Sequence, residues 1–110
     1  MTTAVPILRI SDVEVSLAWW ARLGFVEEFR HEFEPGLPLF IGVVRDDCRV
    51  YLSQHEGDAH GPSLVYLWVD DVDVVAAELG VQEEDMPWAR DCEVTDPDGN
   101  RIRVASPPRG

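Results

Sequence analysis

The chain has 110 residues, of which 45% are hydrophobic and 27% are charged. This length allows one domain, or two small modules that share a core, and the composition excludes a disordered chain. Twenty-one Asp and Glu residues oppose nine basic residues, all of them Arg, so that the formal net charge is −12 at pH 7. Such a field repels nucleic acid and anionic membranes. The charge therefore indicates either a surface adapted for solubility or a cationic ligand.

The two cysteines, Cys48 and Cys92, form no C-x-x-C pair. This spacing indicates two reduced thiols rather than a disulfide framework or a zinc site. Residues 1–10 lack a basic start followed by a long apolar run, so we expect no signal peptide and no membrane span. We accordingly expect a cytoplasmic protein that binds neither nucleic acid nor membrane.

An apolar run that leads to an acidic helix cap occurs twice in the chain. The first run leads to Asp12 and the second to Asp71, an offset of 71 − 12 = 59 residues. The side-chain oxygen of such a cap accepts a hydrogen bond from an unpaired N–H of the first helical turn. Ser11 and Glu14 also have the spacing of a capping box.

Two helices follow from these caps. We predict the first at about residues 13–23 and the second, shorter one at about residues 72–79. Gly24 and Gly80 come directly after them, where a left-handed glycine commonly ends a helix.

A strand–turn–strand pattern also occurs twice, at residues 43–52 and 93–104. Asp46 in the first turn corresponds to Asp96 in the second, an offset of 96 − 46 = 50 residues. Because this offset is shorter than the offset of the helix caps, the second copy must have lost residues in its middle. Residues 54–62, rich in Gly, Asp and His, are the predicted linker.

Each copy is thus a strand, a helix and about three strands. The predicted fold class is α+β: one domain over residues 1–110, made of two βαβββ modules (1–56 and 62–106) with curled mixed sheets. Neither copy can bury both faces of its sheet. The sheets must therefore curl toward each other or toward a partner chain, which leaves a concave cleft.

The paired module and its motifs resemble the vicinal oxygen chelate superfamily. This superfamily includes glyoxalase I, extradiol dioxygenases, fosfomycin-resistance enzymes and bleomycin-resistance proteins. The resemblance covers nearly the whole chain, and it rests on these motifs: Ser11-Asp12, Leu23-Gly24-Phe25, Asp70-Asp71 and Asp96-Pro97-Asp98-Gly99-Asn100. Such motifs specify a fold better than a function.

The resemblance implies three positions for metal ligands. Enzymes of the superfamily hold a divalent metal with a His, a His or Gln, and a Glu, and these positions fall on Val5, Leu64 and Arg103 here. None of these side chains ligates a divalent cation. We therefore expect no metal, no other cofactor and no enzymatic activity. The segment 55–60 holds other possible ligands, but we interpret it as a solvated loop.

A narrower resemblance links three stretches to the bleomycin-resistance proteins: residues 4–8, 40–47 and 87–90. Those proteins are not enzymes, but dimers that sequester the antibiotic in clefts at the subunit interface. Their N-terminal strand carries a proline and is exchanged between subunits. By this resemblance Pro6 marks strand exchange in a homodimer.

The resemblance also implies the ligand-binding side chains. A flat heteroaromatic ring is best held between aromatic faces, and the two clamp positions correspond to Phe40 and Trp88. Ser53 and Trp68 correspond to the cleft wall. An acidic cleft attracts a cationic tail, and the candidates for that field are Glu32, Glu34, Asp58 and 83–85. Each aromatic residue also has a structural interpretation, as core or as a cover for the edge of the core.

Three hypotheses about function follow. The first is sequestration of a flat, cationic glycopeptide antibiotic of the bleomycin type. The alternatives are a metal-dependent enzyme of the glyoxalase or dioxygenase kind, and a binding module for another flat cationic metabolite. The segment 29–38 is longer than in the closest bleomycin-resistance proteins and the segment 81–87 is shorter, so the selectivity is open.

Overall fold

The computed structural model describes residues 1–109. Two four-stranded sheets and two helices make up the chain, which confirms the predicted α+β fold. The first copy contains β1 (Ile7–Arg9), α1 (Val13–Arg22), β2 (Val26–Glu32), β3 (Leu39–Arg45) and β4 (Cys48–Ser53). The second contains β5 (Leu64–Trp68), α2 (Val72–Leu79), β6 (Glu84–Asp85), β7 (Arg90–Thr95) and β8 (Arg101–Ser106).

The two sheets have the same topology. The strand order is β1-β4-β3-β2 in the first sheet and β5-β8-β7-β6 in the second. In each sheet the strand before the helix pairs in parallel with the last strand of its module, and the other pairs are antiparallel. The internal repeat that was predicted from the two offsets is therefore a repeat of structure.

The helices begin and end close to their predicted limits. Asp12 caps α1 by accepting a hydrogen bond from the Val15 N–H, and Asp71 caps α2 in the same way from Asp73. The capping-box interpretation of Ser11 is wrong, because Asp12 is the N-cap and Ser11 donates its hydroxyl to Asp98 Oδ1 at 2.7 Å. Within residues 1–109, no helix is both long and apolar enough to span a membrane.

The core lies between the helices and the inner faces of both sheets. Trp20 is fully buried, and its ring meets Phe25 and Trp19 edge-on at 5.1 and 5.2 Å. Inner-face side chains of both sheets belong to the same cluster, among them Leu8, Ile41, Val43, Val50, Leu52, Leu67, Cys92, Val94, Ile102 and Val104. One hydrophobic core, in which each large apolar side chain contributes about 1.5–3 kcal/mol, therefore stabilises both modules.

The second copy is shorter in its middle, as the two offsets predict. Its third element, β6, has two residues, whereas its counterpart β2 has seven. The acidic run 83–85 is thus not only a solvated loop, because Glu84–Asp85 is the edge strand that pairs with β7. Because β6 pairs only with residues 90 and 91, the rest of β7 has no neighbouring strand on that edge of the second sheet.

Candidate functional site

The outer face of each sheet, the face turned away from the core, carries the candidate site. On the first sheet Tyr51, Gly42 and Phe29 lie in one row across β4, β3 and β2. The Phe29 and Phe40 rings are stacked with centroids 6.2 Å apart, and Tyr51 meets both rings at 5.5 and 5.3 Å. We call Phe29, Phe40 and Tyr51 the ring cluster.

Gly42 makes the ring cluster possible. A Cβ at this position would lie 2.2 Å from Phe29 Cε1, far inside van der Waals contact. The Phe29 ring therefore lies directly over the backbone of β3, where any other residue would displace it.

The long segment after β2 builds a cavity beside the ring cluster. It has a volume of about 510 Å³ and is lined by Phe33, Leu37, Phe40, His55 and Asp58. The Phe33 ring lies edge-on to His55 at 5.3 Å. The cavity therefore combines apolar walls with one carboxylate and one imidazole.

Ser53 lies on the same face, in register with Phe40, but it is fully buried. Its hydroxyl donates to Asp58 Oδ2 at 2.6 Å and accepts from the His55 N–H at 3.0 Å. These bonds hold the start of the linker, so Ser53 fixes the position of two residues that line the cavity.

The outer face of the second sheet carries exposed aromatic rings. Tyr66 and Trp68 share this face, with centroids 5.4 Å apart, and the Trp88 indole N–H donates to the Tyr66 hydroxyl at 3.1 Å. Trp68 is 60% exposed and Trp88 56%. Neither Trp covers the core, so both rings are free to contact a ligand or another chain.

Charged side chains occupy the rest of this second face. Arg103 pairs across the strands with Tyr66 on one side and Glu93 on the other. Asp91 is buried beside it, and its Oδ2 lies 3.6 Å from Arg103 Nη2. Glu93 is bound to Arg101 through both guanidinium branches, at 2.9 and 3.1 Å.

The remaining predicted residues are neither members of the ring cluster nor among those that line the cavity beside it. Glu32 ends β2 and Glu34 follows it, both exposed. The Pro6 carbonyl accepts a hydrogen bond from the Tyr51 N–H, so the N-terminal strand pairs with β4 of its own chain here. Phe40 lies in β3, whereas Trp88 lies in the loop between β6 and β7 and bonds to Tyr66 of β5, so the two clamp residues belong to different modules.

The sequence analysis missed Phe29, Tyr51 and Asp91. Phe29 and Tyr51 alternate with polar or core residues along their strands, which is a detectable signal once the strand pairing is known. Asp91 gave no signal, because a carboxylate next to Arg90 and Cys92 is normally solvated.

The positions of the family metal ligands do not fit a divalent metal. Leu64 begins β5 and Arg103 lies in β8 beside Asp91, while Val5 precedes β1. Two of the three offer only hydrocarbon and the third is a cation, so the donor set lacks any ligand. Across the described residues, no group of three His, Cys, Asp or Glu side chains is arranged to hold a metal ion.

The thiolate is the reactive form of a cysteine nucleophile, and a raised pKa disfavours it at neutral pH. Burial raises the pKa of the Cys92 thiol to about 11, and burial likewise raises the pKa of Cys48.

A further cavity, of about 340 Å³, lies between the modules at the turn that joins β3 to β4. Asp46 and Asp47 approach it from the turn, and Trp68 and Asp70 approach it from the end of β5. Three carboxylates and the guanidinium of Arg45 therefore line it, and Phe25 and Leu67 supply apolar wall.

The sequence profile described as "Glyoxalase superfamily protein" matches residues 1–109. The chain therefore belongs to the glyoxalase superfamily, in agreement with the paired modules. No curated protein sequence matches it.

Solved structures share the fold at low identity. TnmS3, an antibiotic binding protein from Streptomyces sp. CB03234, is 24% identical with a TM-score of 0.79, over 97% of this chain and 96% of that one. A bleomycin-binding protein complexed with bleomycin is 21% identical, with a TM-score of 0.68 over 96% and 98%. A lactoylglutathione lyase from Agrobacterium tumefaciens is 17% identical, with a TM-score of 0.69 over 96% and 92%. Binding proteins and an enzyme thus share this architecture.

Proposed function

We propose that this chain is a non-catalytic binding protein that sequesters a flat, cationic antibiotic of the bleomycin type and thereby confers resistance. Sequestration acts by mass action, because ligand held by the protein is withdrawn from its target in proportion to affinity. The observation that carries the proposal is the pair of aromatic outer faces on a strongly acidic chain.

Aromatic faces suit a flat heteroaromatic ligand. Phe40, within the ring cluster, and Trp88, beside Tyr66, each present ring surface on an outer face. Stacked or edge-on contacts between such rings contribute about 0.5–1.5 kcal/mol beyond the area they bury. Two proteins with the same fold, TnmS3 and the bleomycin-binding protein, bind antibiotics, which supports this ligand class.

The absence of metal-ligating side chains supports binding without catalysis. Val5, Leu64 and Arg103 stand where enzymes of the superfamily place ligands. An Arg at the third position repels a divalent cation, so metal-dependent chemistry would need a different ligand set.

We further propose that the active form is a homodimer. Both outer faces leave large apolar side chains exposed, including Phe33, Leu64, Trp68 and Trp88. A partner that sets its second sheet against the first sheet of this chain would place Trp88 and Phe40 on opposite walls of one cleft. Exchange of the strand that contains Pro6 stays a prediction.

The test is a calorimetric titration of the purified protein with metal-free and copper-loaded bleomycin, at low and at moderate salt. Binding of one drug per subunit that weakens with added salt supports sequestration in an acidic cleft. A folded protein that gives neither heat nor thermal stabilisation contradicts bleomycin as the ligand. In that case the cavity at Phe33 and His55 favours another flat cationic metabolite.

The residue-level test is Trp88→Ala. Because Trp88 is exposed and bonds only through its indole N–H, the substitution should weaken drug binding by several-fold or more and leave the protein folded. Val74→Ala, at an exposed apolar position on α2, is the matched control and should bind normally. Unchanged affinity in Trp88→Ala would contradict the clamp.

A further inference from the structure

Asp91 is a buried carboxylate whose Oδ2 lacks a hydrogen-bond donor within residues 1–109. Its side chain is 3% exposed, and no described residue donates a hydrogen bond to its Oδ2. Burial of an ionised carboxylate is costly unless donors replace its water shell. Asp91 therefore lies in a setting that favours an additional donor.

Arg103 only partly compensates this charge. Its Nη2 is 3.6 Å from Asp91 Oδ2, beyond hydrogen-bond distance, and its Nε also has no partner among the described residues. Asp91 and Arg103 thus form a long ion pair, in which Asp91 Oδ2 and Arg103 Nε have no hydrogen-bond partner among the described residues.

The two side chains line a cavity at the open edge of the second sheet. Its volume is about 290 Å³, and its polar lining comes from Gln82, Glu84, Asp91, Glu93 and Arg103. Because a water molecule occupies about 30 Å³, this space can admit the charged head of a ligand. The shortness of β6 creates the opening, since β6 pairs only with residues 90 and 91 of β7.

We propose that Asp91 and this cavity form a subsite for a protonated amine or amidinium group. The proposal deepens the proposed function, since it assigns the cationic part of the ligand to a particular carboxylate. Three carboxylates and one guanidinium line the cavity, and although Glu93 is paired with Arg101, the net charge of −12 on the chain also favours a cation over an anion. An amidinium presents two parallel N–H donors to a carboxylate, which is the strongest common hydrogen-bonded pairing.

The subsite is close to the exposed aromatic rings. Trp68 and Asp91 both pair with Ala105, from opposite sides and on the same outer face. Two strand spacings of about 4.8 Å separate their backbones. One ligand can therefore stack an aromatic portion on Trp68 while a basic substituent reaches Asp91.

The test uses benzamidine, an aromatic amidinium, and benzamide, its neutral counterpart. Each is titrated into the ¹⁵N-labelled full-length protein, and the dissociation constant is taken from amide chemical shifts. Benzamidine should shift the amides of residues 84, 91, 93 and 103 in a saturable manner, and benzamide should bind at least about tenfold more weakly. Equal binding of the two probes, or shifts confined to other residues, would overturn the proposal.

Variants assign the effect to the carboxylate. Asp91→Asn should weaken benzamidine binding about tenfold, whereas Glu28→Gln, at an exposed position on β2 of the other module, changes the net charge equally and should bind within about twofold of wild type. Equal affinity of Asp91→Asn and wild type would contradict a role for Asp91.

Arg103→Gln supplies a test in the opposite direction. Loss of the internal cation should tighten benzamidine binding several-fold, so the proposal stays testable even if Asp91→Asn does not fold. Tighter binding supports the subsite, and unchanged or weaker binding contradicts it.

Bleomycin titrations of the same variants separate the two proposals. If bleomycin binds wild type and Asp91→Asn equally, the proposed function stands and the subsite fails. If benzamidine binding depends on Asp91 but bleomycin does not bind, the subsite stands and the proposed drug ligand is wrong.

Discussion

The turns that join the last two strands of each module contact the other module differently. In the second module, residues 96–100 form the β7–β8 turn and contact residues 9–11 and 63. We call this contact the second junction. Asp98 Oδ1 accepts from the Ser11 N–H at 2.9 Å and from its hydroxyl. Asn100 donates to the Arg9 carbonyl at 3.0 Å and accepts from the Ser63 N–H at 2.9 Å.

The first junction, where residues 45–48 of the β3–β4 turn meet residues 67–70, contains a cavity instead. The repeat aligns Ser11 with Asp70, because each comes directly before an Asp that caps a helix. A serine offers a hydroxyl donor to an approaching turn, whereas Asp70 offers a carboxylate to a turn that already carries Asp46 and Asp47. We expect repulsion among these three carboxylates to disfavour docking of that turn.

The difference between the junctions is a division of roles. The second junction ties the modules together with hydrogen bonds, and the first junction leaves an acidic opening next to Trp68. Stability should therefore depend strongly on the second turn and weakly on the first.

The largest effect should come from the matched pair Asp96→Asn and Asp46→Asn. Asp96 is buried and accepts from two backbone N–H groups and from the Asn100 side chain. An amide there turns one acceptor into a donor facing another donor, so Asp96→Asn should lower the free energy of unfolding by about 2–4 kcal/mol.

Asp46 lies in an exposed turn with φ of 54°, which Asn tolerates. Asp46→Asn should change stability by less than about 0.5 kcal/mol in the same denaturant titration. Equal losses at the two turns would contradict the division of roles.

A reciprocal exchange should have the next largest effect. Ser11→Asp places a carboxylate beside Asp98 and removes a hydroxyl donor, so the melting temperature should fall. Asp70→Ser removes a carboxylate from the first junction, so the melting temperature should rise. Both shifts should shrink in high salt, because repulsion between exposed charges is screened. A salt-independent shift in both variants would point to packing rather than charge.

The next effect concerns the ring cluster on the outer face of the first sheet. Gly42→Ala forces the Phe29 ring off the backbone of β3, and it should lower the free energy of unfolding by about 1–2 kcal/mol. Gly57→Ala is the control, because no atom lies within 4 Å of a Cβ built there, and its stability should stay close to wild type. Near-ultraviolet circular dichroism should report the loss of the ring cluster only in Gly42→Ala.

The smallest effect concerns the cysteine of the second module. Burial raises the pKa of Cys92 from its ordinary value of 9.0 to about 11, so the folded state holds this proton more tightly than the unfolded state. The contribution of this bound proton to the free energy of unfolding is fully present below pH 9 and is lost as the pH rises toward 11. The free energy of unfolding should therefore fall more steeply over this window in wild type than in Cys92→Ala. Parallel curves would contradict a buried neutral thiol.

The elements of this fold could be predicted because their signals are local. Asp12, Asp71 and the glycines after the helices act within one turn, and the repeat itself indicated two modules of the same kind. The second junction could not be predicted in the same way, since Ser11 and Asp98 are 87 residues apart and resemble an ordinary cap and turn.

The candidate site was predicted only in part. Trp68 and Trp88 were named, but whether they face the core or the outside depends on pairing that their own segments do not specify. Phe29 was missed because the sequence of β2, VEEFRHE, is typical of a solvated edge strand, and every residue of this strand is exposed. Burial of Asp91 depends on the short β6 and on the loop before it.

The second junction can form only late in the synthesis of the protein. Asn100 and Arg9 are bonded across 91 residues, so this contact can form only after almost the whole chain has left the ribosome. Closing so long a loop is slow compared with forming the helices. A nascent first module therefore waits with the core-facing side of its sheet, which includes Leu8, Ile41 and Leu52, uncovered, and we expect it to need protection from aggregation until the second module has folded against it.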